Sequence, residues 1–187
     1  MAQFALQNVR LSFPSLEKQS EYDGQLGKYE ATFLMDKETQ ANLIEKVNAE
    51  ITKVLEANPD PKTKKAPKIP PEKLCMKDGD FVSYDGYEGQ MAIKASSKNK
   101  PDLLDQVKRK IENPEGVFYA GCYVDVVLDL WYQNNKFGRR VNANLFAVRF
   151  RSEGEAFGGV KTDNTVIDTL DDLDDIIESA SSDEFND

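Results

Sequence analysis

Histidine is absent from the 187 residues of this chain, and cysteine occurs only twice. The first absence removes the side chain that proteins use most often as a general base and as a zinc ligand. Cys75 and Cys122 lie far apart without a CxxC spacing, so no disulfide framework is expected and both thiols should stay reduced. These absences exclude many enzyme mechanisms, and we expect a protein that is not an enzyme and that has no cofactor and no metal site, with a metal-dependent nuclease kept as an alternative below.

Long apolar runs are also missing, so the sequence predicts no membrane-spanning segment. The first ten residues, MAQFALQNVR, contain no apolar block of the signal-peptide kind. Both observations predict a soluble, intracellular protein. With 40% hydrophobic residues, the chain has enough apolar surface for one domain with extensions.

Basic residues are missing from the C-terminal segment 163–187, which contains ten acidic side chains. The net charge of -9 therefore comes from this tail, because residues 1–162 carry 24 basic and 23 acidic side chains. Basic residues of that body are concentrated in residues 61–77 and 94–110. Such asymmetry predicts a basic surface joined to an acidic tail.

Alternation of apolar and polar residues predicts strands near residues 3–13, 28–35, 80–84, 90–97, 118–132 and 140–151. A phase change at Gln7-Asn8 predicts a bulge in the first strand. One helix is predicted from Lys37 to about Ala57, with Asp36 as its N-cap and an apolar stripe packed on the sheet. Residues 101–114 are expected to form a loop.

Several strands with a single helix and no βαβ alternation favour a small closed barrel of the OB type, although periodicity does not separate a barrel from a sandwich. We predict a mainly β protein with one long α-helix, an OB-fold domain over residues 1–160 and a flexible, disordered acidic tail over residues 161–187. Ten like charges in the tail disfavour a packed structure.

The segment from Gly121 to Arg151 is predicted to form a long antiparallel hairpin with its turn at Asn134 to Gly138. Even-numbered residues of its first arm are apolar and should face the core, which leaves Trp131 on the opposite face. Neither face of the second arm is simply polar, so we expect it to be covered on both sides for much of its length.

Four stretches together carry a family resemblance: FALQNVRLSFPSL with YEATFLMDK near the N-terminus, IKASSKNKPDLLD at 93–105, and GCYVDVVLDLWYQNNKFGRRVNANLFAVRFRSEGEAFGG at 121–159. The pattern resembles the tailed-bacteriophage single-stranded-DNA-binding proteins of the Enc34 type. That resemblance implies an OB fold, binding to single-stranded DNA without strong sequence preference, and a role in phage replication or recombination. It also implies action in the cytoplasm of the infected bacterial host.

Non-specific binding of single strands requires a cationic groove along the backbone and aromatic faces for the bases. The aromatic candidates for DNA binding are Tyr84, Tyr87, Tyr119, Trp131 and Phe137, and the cationic candidates are Lys94, Lys98, Lys100, Arg139, Arg140 and Arg149. The proline-lysine segment 58–71 is either a solvated connector or a flexible arm that contacts phosphates.

The acidic tail repeats apolar residues at helical spacing, and its candidate partner-binding residues are Leu170, Leu173, Ile176, Ile177 and Phe185. It could occupy the protein's own basic groove as a DNA mimic, dock on replication or recombination proteins, or serve only to solubilise the chain.

Two other functions stay open. The first is a metal-dependent nuclease, because Asp125 and Asp129 share one strand face and Lys94 could lie near them. The second is a protein-interaction module that acts through its acidic tail. Self-association on DNA and the choice between DNA and RNA are not decided by the sequence.

Overall fold

Nine strands and one helix make up the part of the chain that the computed structural model describes, residues 2–157. In chain order they are β1 (Phe4–Ser15), β2 (Glu21–Tyr22), β3 (Gln25–Leu26), β4 (Tyr29–Asp36), α1 (Ala41–Glu56), β5 (Met76–Asp78), β6 (Gln90–Ser97), β7 (Asp102–Leu104), β8 (Tyr123–Asn135) and β9 (Gly138–Ser152).

Five of these strands close into a barrel in the order β1-β4-β6-β9-β8, with β8 returning to β1. Every neighbouring pair is antiparallel except β6 and β9, which meet in parallel at Ser96 and Asn144. A five-stranded closed barrel of this kind is the OB architecture. The predicted OB-like, mainly β fold is therefore confirmed, and the sandwich is excluded.

The core lies inside the barrel and beneath α1. Its largest fully buried side chains are Leu6, Val9, Leu11, Phe33, Met35, Val47, Ile93, Val124, Leu128, Leu130 and Leu145. The helix lies against β4 and β8 and buries Val47, Ile51 and Val54, as its apolar stripe predicts. Both cysteines are free and buried, and burial raises the pKa of the Cys75 thiol to about 12.

The helix begins at Ala41 rather than at the predicted Lys37. Asp36 does accept hydrogen bonds from the backbone N–H groups of Glu38 and Thr39, both at 2.9 Å, and these bonds lower the pKa of its carboxyl group. The turn that it closes precedes the helix, whose N-cap is Gln40. The prediction of Asp36 as N-cap was wrong by one turn.

Shifts in strand pairing set which side chains face inward. The predicted bulge in β1 is confirmed, because the pairing with β8 shifts between Leu6 and Val9 and Asn8 takes a φ of 57°. A second shift places Phe146 of β9 outside the ladder, where it is 36% exposed. The bulge moves Val148 onto the inner face. The expectation that β9 is covered on both sides was wrong: its apolar residues change phase.

Two short strands differ from the prediction. Residues 80–84 form the end of a short 3₁₀ turn (Gly79–Phe81) and an open loop, while the strand of this region is β5, just before them. The predicted loop 101–114 contains β7, which pairs in parallel with β9. Because β9 lies far from β7 in the sequence, no local residue pattern predicts this strand.

No helix within residues 2–157 is long and apolar enough to cross a membrane. The predictions of tail disorder and of partner-binding residues Leu170, Leu173, Ile176, Ile177 and Phe185 fall outside the described residues.

One buried carboxylate joins β1, β8 and β9. Asp125, 7% exposed, accepts hydrogen bonds from the Asn8 N–H at 2.8 Å, from Arg149 Nε and Nη2 at 2.8 and 2.6 Å, and from Arg151 Nη1 at 3.0 Å. Burial alone would raise the pKa of this carboxyl, but the hydrogen bonds and the positive charges outweigh it, and the pKa is lowered.

We predict that Asp125→Asn lowers the free energy of unfolding at pH 7 by about 2 kcal/mol, because both guanidinium groups lose their anionic partner. Since the folded-state pKa is depressed, this stabilisation is present above the unfolded pKa of about 4 and is lost as the pH falls through the folded value. Urea unfolding at pH 7 and pH 3 should show the gap between wild type and variant narrowing at pH 3. Asp129→Asn is the control, since Asp129 accepts only the amide of Asn144; equal losses in both variants would contradict the prediction.

Candidate nucleic-acid interface

An open cleft of about 730 Å³ crosses the outer face of the barrel. Because side chains alternate along a strand, Thr32 of β4 and Lys94 of β6 point to the same outer face, and they are directly paired across the sheet. Ser96 of β6 and Asn142 of β9 continue this polar floor. The cleft thus follows the line along which β6 and β9 close the barrel.

Aromatic side chains form one wall of the cleft. Tyr84 and Phe13 are each 56% exposed, and their ring centroids lie 4.9 Å apart in an edge-to-face arrangement. Tyr87 lies against Tyr84 at 5.2 Å, is only 4% exposed, and donates a hydrogen bond from its hydroxyl to Ser12 Oγ at 2.9 Å. Burial raises the pKa of this hydroxyl. Tyr87 therefore anchors two rings that water can reach.

Cations also line the cleft. Lys73 comes from the short 3₁₀ turn Pro71–Lys73, Lys77 from β5 and Arg140 from the start of β9. Two contacts bring these elements together: Leu74 pairs with Val141, and the Lys73 amino group lies beside Gly138 of the hairpin turn. The cleft therefore has both an aromatic wall and a group of cations, its cationic wall, around a polar floor.

Two carboxylates, Glu30 and Asp78, interrupt the positive charge, and Asp78 is paired with Lys37. Glu30 of β4 lines the cleft, and its carboxylate lies 3.5 Å from the Lys94 amino group. Both side chains reach solvent, with exposures of 29% and 63%. Such a partly exposed pair is weak, so Lys94 stays available to an anion.

The loop that carries Tyr84 is tied at its base. The Lys37 amino group contacts Asp78 at 2.6 Å and Asp80 at 2.5 Å, and Asp80 also accepts the backbone N–H of Gly89 at 2.8 Å. The Gly89 bond and then Lys37 lower the pKa of Asp80. Gly79 is needed here, since a Cβ would collide with the carbonyl oxygen of Tyr87. The aromatic wall is thus held in place before any ligand arrives.

Of the candidates from the sequence, Tyr84, Tyr87, Lys94 and Arg140 meet in the cleft. Trp131 lies on the outer face of β8, half-buried, and pairs with Asn142 of the cleft floor. Phe137 is 70% exposed at the hairpin turn. Arg139 lies 3.6 Å from Asp60 of the proline-lysine segment. Lys98 and Lys100 are exposed beyond the end of β6.

Three candidates are engaged elsewhere in the protein. Arg149 is the ion-pair partner of Asp125 and is 25% exposed. The Tyr119 hydroxyl donates to the Gly154 carbonyl and accepts the Gly154 N–H, at 2.9 and 3.0 Å. Tyr87 is buried, as described above. Arg149 and Tyr119 do not line the cleft, and Tyr87 lines it as the buried support of Tyr84, because each is held by a partner that is distant in the sequence.

Sequence reasoning missed three residues that line the cleft: Phe13, Lys73 and Lys77. The two lysines lie in the basic stretch 61–77, so the signal was present but not assigned to a site. Phe13 shares its phase with the inward-facing Val9 and Leu11 and therefore reads as core. Its left-handed backbone turns it outward instead.

The carboxylates behind the nuclease alternative do not form a metal site. Asp125 is occupied by Asn8 and two arginines, and Asp129 accepts from Asn144. Within residues 2–157 there is no group of three or more His, Cys, Asp or Glu side chains arranged to hold a metal ion. The nuclease alternative therefore gains no support from the geometry.

Comparison with known proteins gives a consistent result. The family model described as "Enterobacter phage Enc34, ssDNA-binding protein" matches residues 2–177. Putative protein p50 of Acyrthosiphon pisum secondary endosymbiont phage 1 is 36% identical over 176 residues, which cover 90% of this chain and 92% of that protein.

Solved structures agree. The single-stranded DNA-binding protein from bacteriophage Enc34 matches with a TM-score of 0.72 at 32% identity, over 87% of this chain and 88% of the other. Its complex with ssDNA matches with a TM-score of 0.74 at 33% identity, over 83% and 89%. A single-stranded DNA-binding protein encoded by bacteriophage T7 is 13% identical, with a TM-score of 0.51 over 87% and 98%, and shares the fold alone. The chain described here therefore belongs to the family of the Enterobacter phage Enc34 ssDNA-binding protein.

Proposed function

We propose that this protein binds single-stranded DNA without strong sequence preference, in the cleft on the outer face of its barrel. The observation that carries the proposal is that exposed aromatic rings and several cations line the same open cleft. Bases stack on exposed rings while phosphates contact lysine and arginine, and each stacked base contributes roughly 1–3 kcal/mol. The family relative that was solved in complex with ssDNA supports this assignment.

The two walls suggest an orientation for the bound strand. Its phosphates would follow Lys73, Lys77 and Arg140, and its bases would turn toward Tyr84. Every base has an aromatic face, so stacking tolerates any sequence. We therefore propose contact to the backbone and to base faces rather than readout of base edges.

Residues outside the cleft extend the proposed surface. Trp131 is adjacent to the cleft floor through Asn142, and Phe137 and Arg139 lie at the hairpin turn. Lys98 and Lys100 follow the floor strand β6. A longer oligonucleotide would reach these groups after it fills the cleft.

We further propose that the protein is a binding protein rather than an enzyme and that it serves phage DNA replication or recombination inside the infected bacterial cell. Residues 1–160 would form the binding domain and residues 161–187 the acidic tail. In this proposal the tail competes with DNA for the basic surface, or docks on replication proteins through Leu170, Leu173, Ile176, Ile177 and Phe185. The charge contrast between tail and body supports the first role.

The double variant Lys94→Gln/Arg140→Gln tests the cationic wall. It should weaken binding of an oligo(dT) at low salt, and the slope of log affinity against log salt should become shallower by about 1.4, because two phosphate contacts are lost. Fluorescence anisotropy of a labelled oligonucleotide at several salt concentrations gives both quantities.

The matched control is Lys53→Gln/Arg109→Gln, which removes two charges at sites that are 70% and 79% exposed and do not line the cleft. It should leave the slope nearly unchanged. Equal slopes in the two double variants would mean that the cleft is not the binding site, and no binding by the wild type would refute the function itself.

Glu30→Gln should have the opposite effect. It removes a carboxylate from the floor of the cleft and frees Lys94, so affinity for oligo(dT) should rise by about twofold to fivefold at low salt. The gain should disappear at high salt, where charges are screened. Glu45→Gln, an exposed carboxylate on α1, should not change affinity. A loss of affinity in Glu30→Gln would argue against phosphates near this position.

Deletion of residues 163–187 tests the tail. If the tail competes for the basic surface, the truncated protein should bind oligo(dT) more tightly and with less salt sensitivity at the low-salt end, since ten acidic residues no longer compete. The same anisotropy titration measures this. Weaker binding by the truncated protein would contradict competition, and unchanged binding would favour docking of partners.

A further inference from the structure

Phe13 has a backbone conformation that a bulky side chain rarely adopts. Its φ is +46°, in the left-handed region, where non-glycine residues are uncommon and are mostly asparagine or aspartate. Of the described non-glycine residues with positive φ, Phe13 is the one aromatic, beside Asn8, Asp23, Lys64 and Lys108. Such a conformation costs stability and persists only where its surroundings enforce it.

The strained backbone turns the Phe13 side chain out of the barrel. Regular alternation after the inward-facing Leu11 would place Phe13 inside the barrel. The pairing of β1 with β4 is irregular between Ser12 and Ser15, and Phe13 points into the cleft with 56% of its surface exposed. The fold therefore accepts both a strained backbone and an apolar ring in water at this point.

Other exposed apolar side chains lie next to it. Val82 and Tyr84, on the tied loop, also line the cleft and are 39% and 56% exposed. Exposed apolar groups that cluster at a cleft mark a binding surface more often than scattered ones do. Strain and exposure at the same residue both indicate that its ring is presented to a ligand.

We propose that Phe13 and Tyr84 form a corner that takes one unpaired nucleobase, a proposal that rests on the proposed function. The rings meet at 71°, so a planar base stacked on one ring would meet the other with its edge, an arrangement that aromatic groups favour. Tyr87 lies behind both rings, at 5.2 Å from Tyr84 and 6.3 Å from Phe13. Its bond to Ser12 links this support to the strand that carries Phe13.

The chemistry of the corner accounts for tolerance of any base. Phe13 has no hydrogen-bonding group and therefore recognises only an aromatic face. The corner is thus a stacking site, and the neighbouring Lys94 and Arg140 supply the charge.

Phe13→Leu tests the corner, because leucine keeps apolar bulk and loses the aromatic face. Affinity of the full-length protein is measured for oligo(dT) and for an oligonucleotide of the same length with abasic positions. We expect Phe13→Leu to weaken oligo(dT) binding by about fivefold or more, and to leave binding of the abasic strand unchanged, since that strand has no base to stack.

Two further variants keep the test decisive. Phe13→Gly accepts a positive φ without strain, so it should stay folded and still show the same loss on oligo(dT). Tyr22→Leu, an aromatic that is 87% exposed on the β2–β3 hairpin, should bind both strands like the wild type.

Equal losses on both strands, or no loss on oligo(dT), would overturn the stacking corner while the wild type still binds DNA. Failure of the wild type to bind either strand would instead overturn the proposed function.

Discussion

The parallel contact between β6 and β9 at Ser96 and Asn144 is the closure on which the rest of the structure depends. Without it, β4 and β6 would form one edge of an open sheet, and the hairpin of β8 and β9 the other. Closure brings Lys94 and Arg140 to one cleft although 46 positions separate them in the sequence. The cleft is therefore a product of the barrel's topology.

The proposed binding surface combines a rigid barrel with a loop that is tied at both ends. Lys37 and Gly89 hold Asp80, and Tyr87 joins the loop to β1 through Ser12. Preorganisation of this kind lowers the entropy lost when a flexible strand binds, because the protein side chains are already ordered. Most of the conformational entropy lost on binding would then come from the DNA strand.

Local rules are broken mainly where the cleft is built. Phe13 is strained and exposed, Tyr84 is exposed, and Glu30 lies among cations. Other parts of the described chain follow ordinary preferences: α1 buries its apolar stripe, and Asp125 has a hydrogen bond or charge partner on each oxygen. Departures that occur together at one surface are what a functional site is expected to show.

The amino-acid sequence alone determined the β-rich class, the hairpin, the bulge near Asn8, the buried stripe of α1 and the basic stretches. These features are local, since each depends on the phase or composition of a few neighbouring residues. Only the tertiary structure decided that Phe146 bulges out, that Arg149 is occupied by Asp125, and that Phe13 turns into the cleft. Each of these depends on a pairing partner far away in the sequence. The alternation of residues along one β-strand contains no information about the register of such a partner.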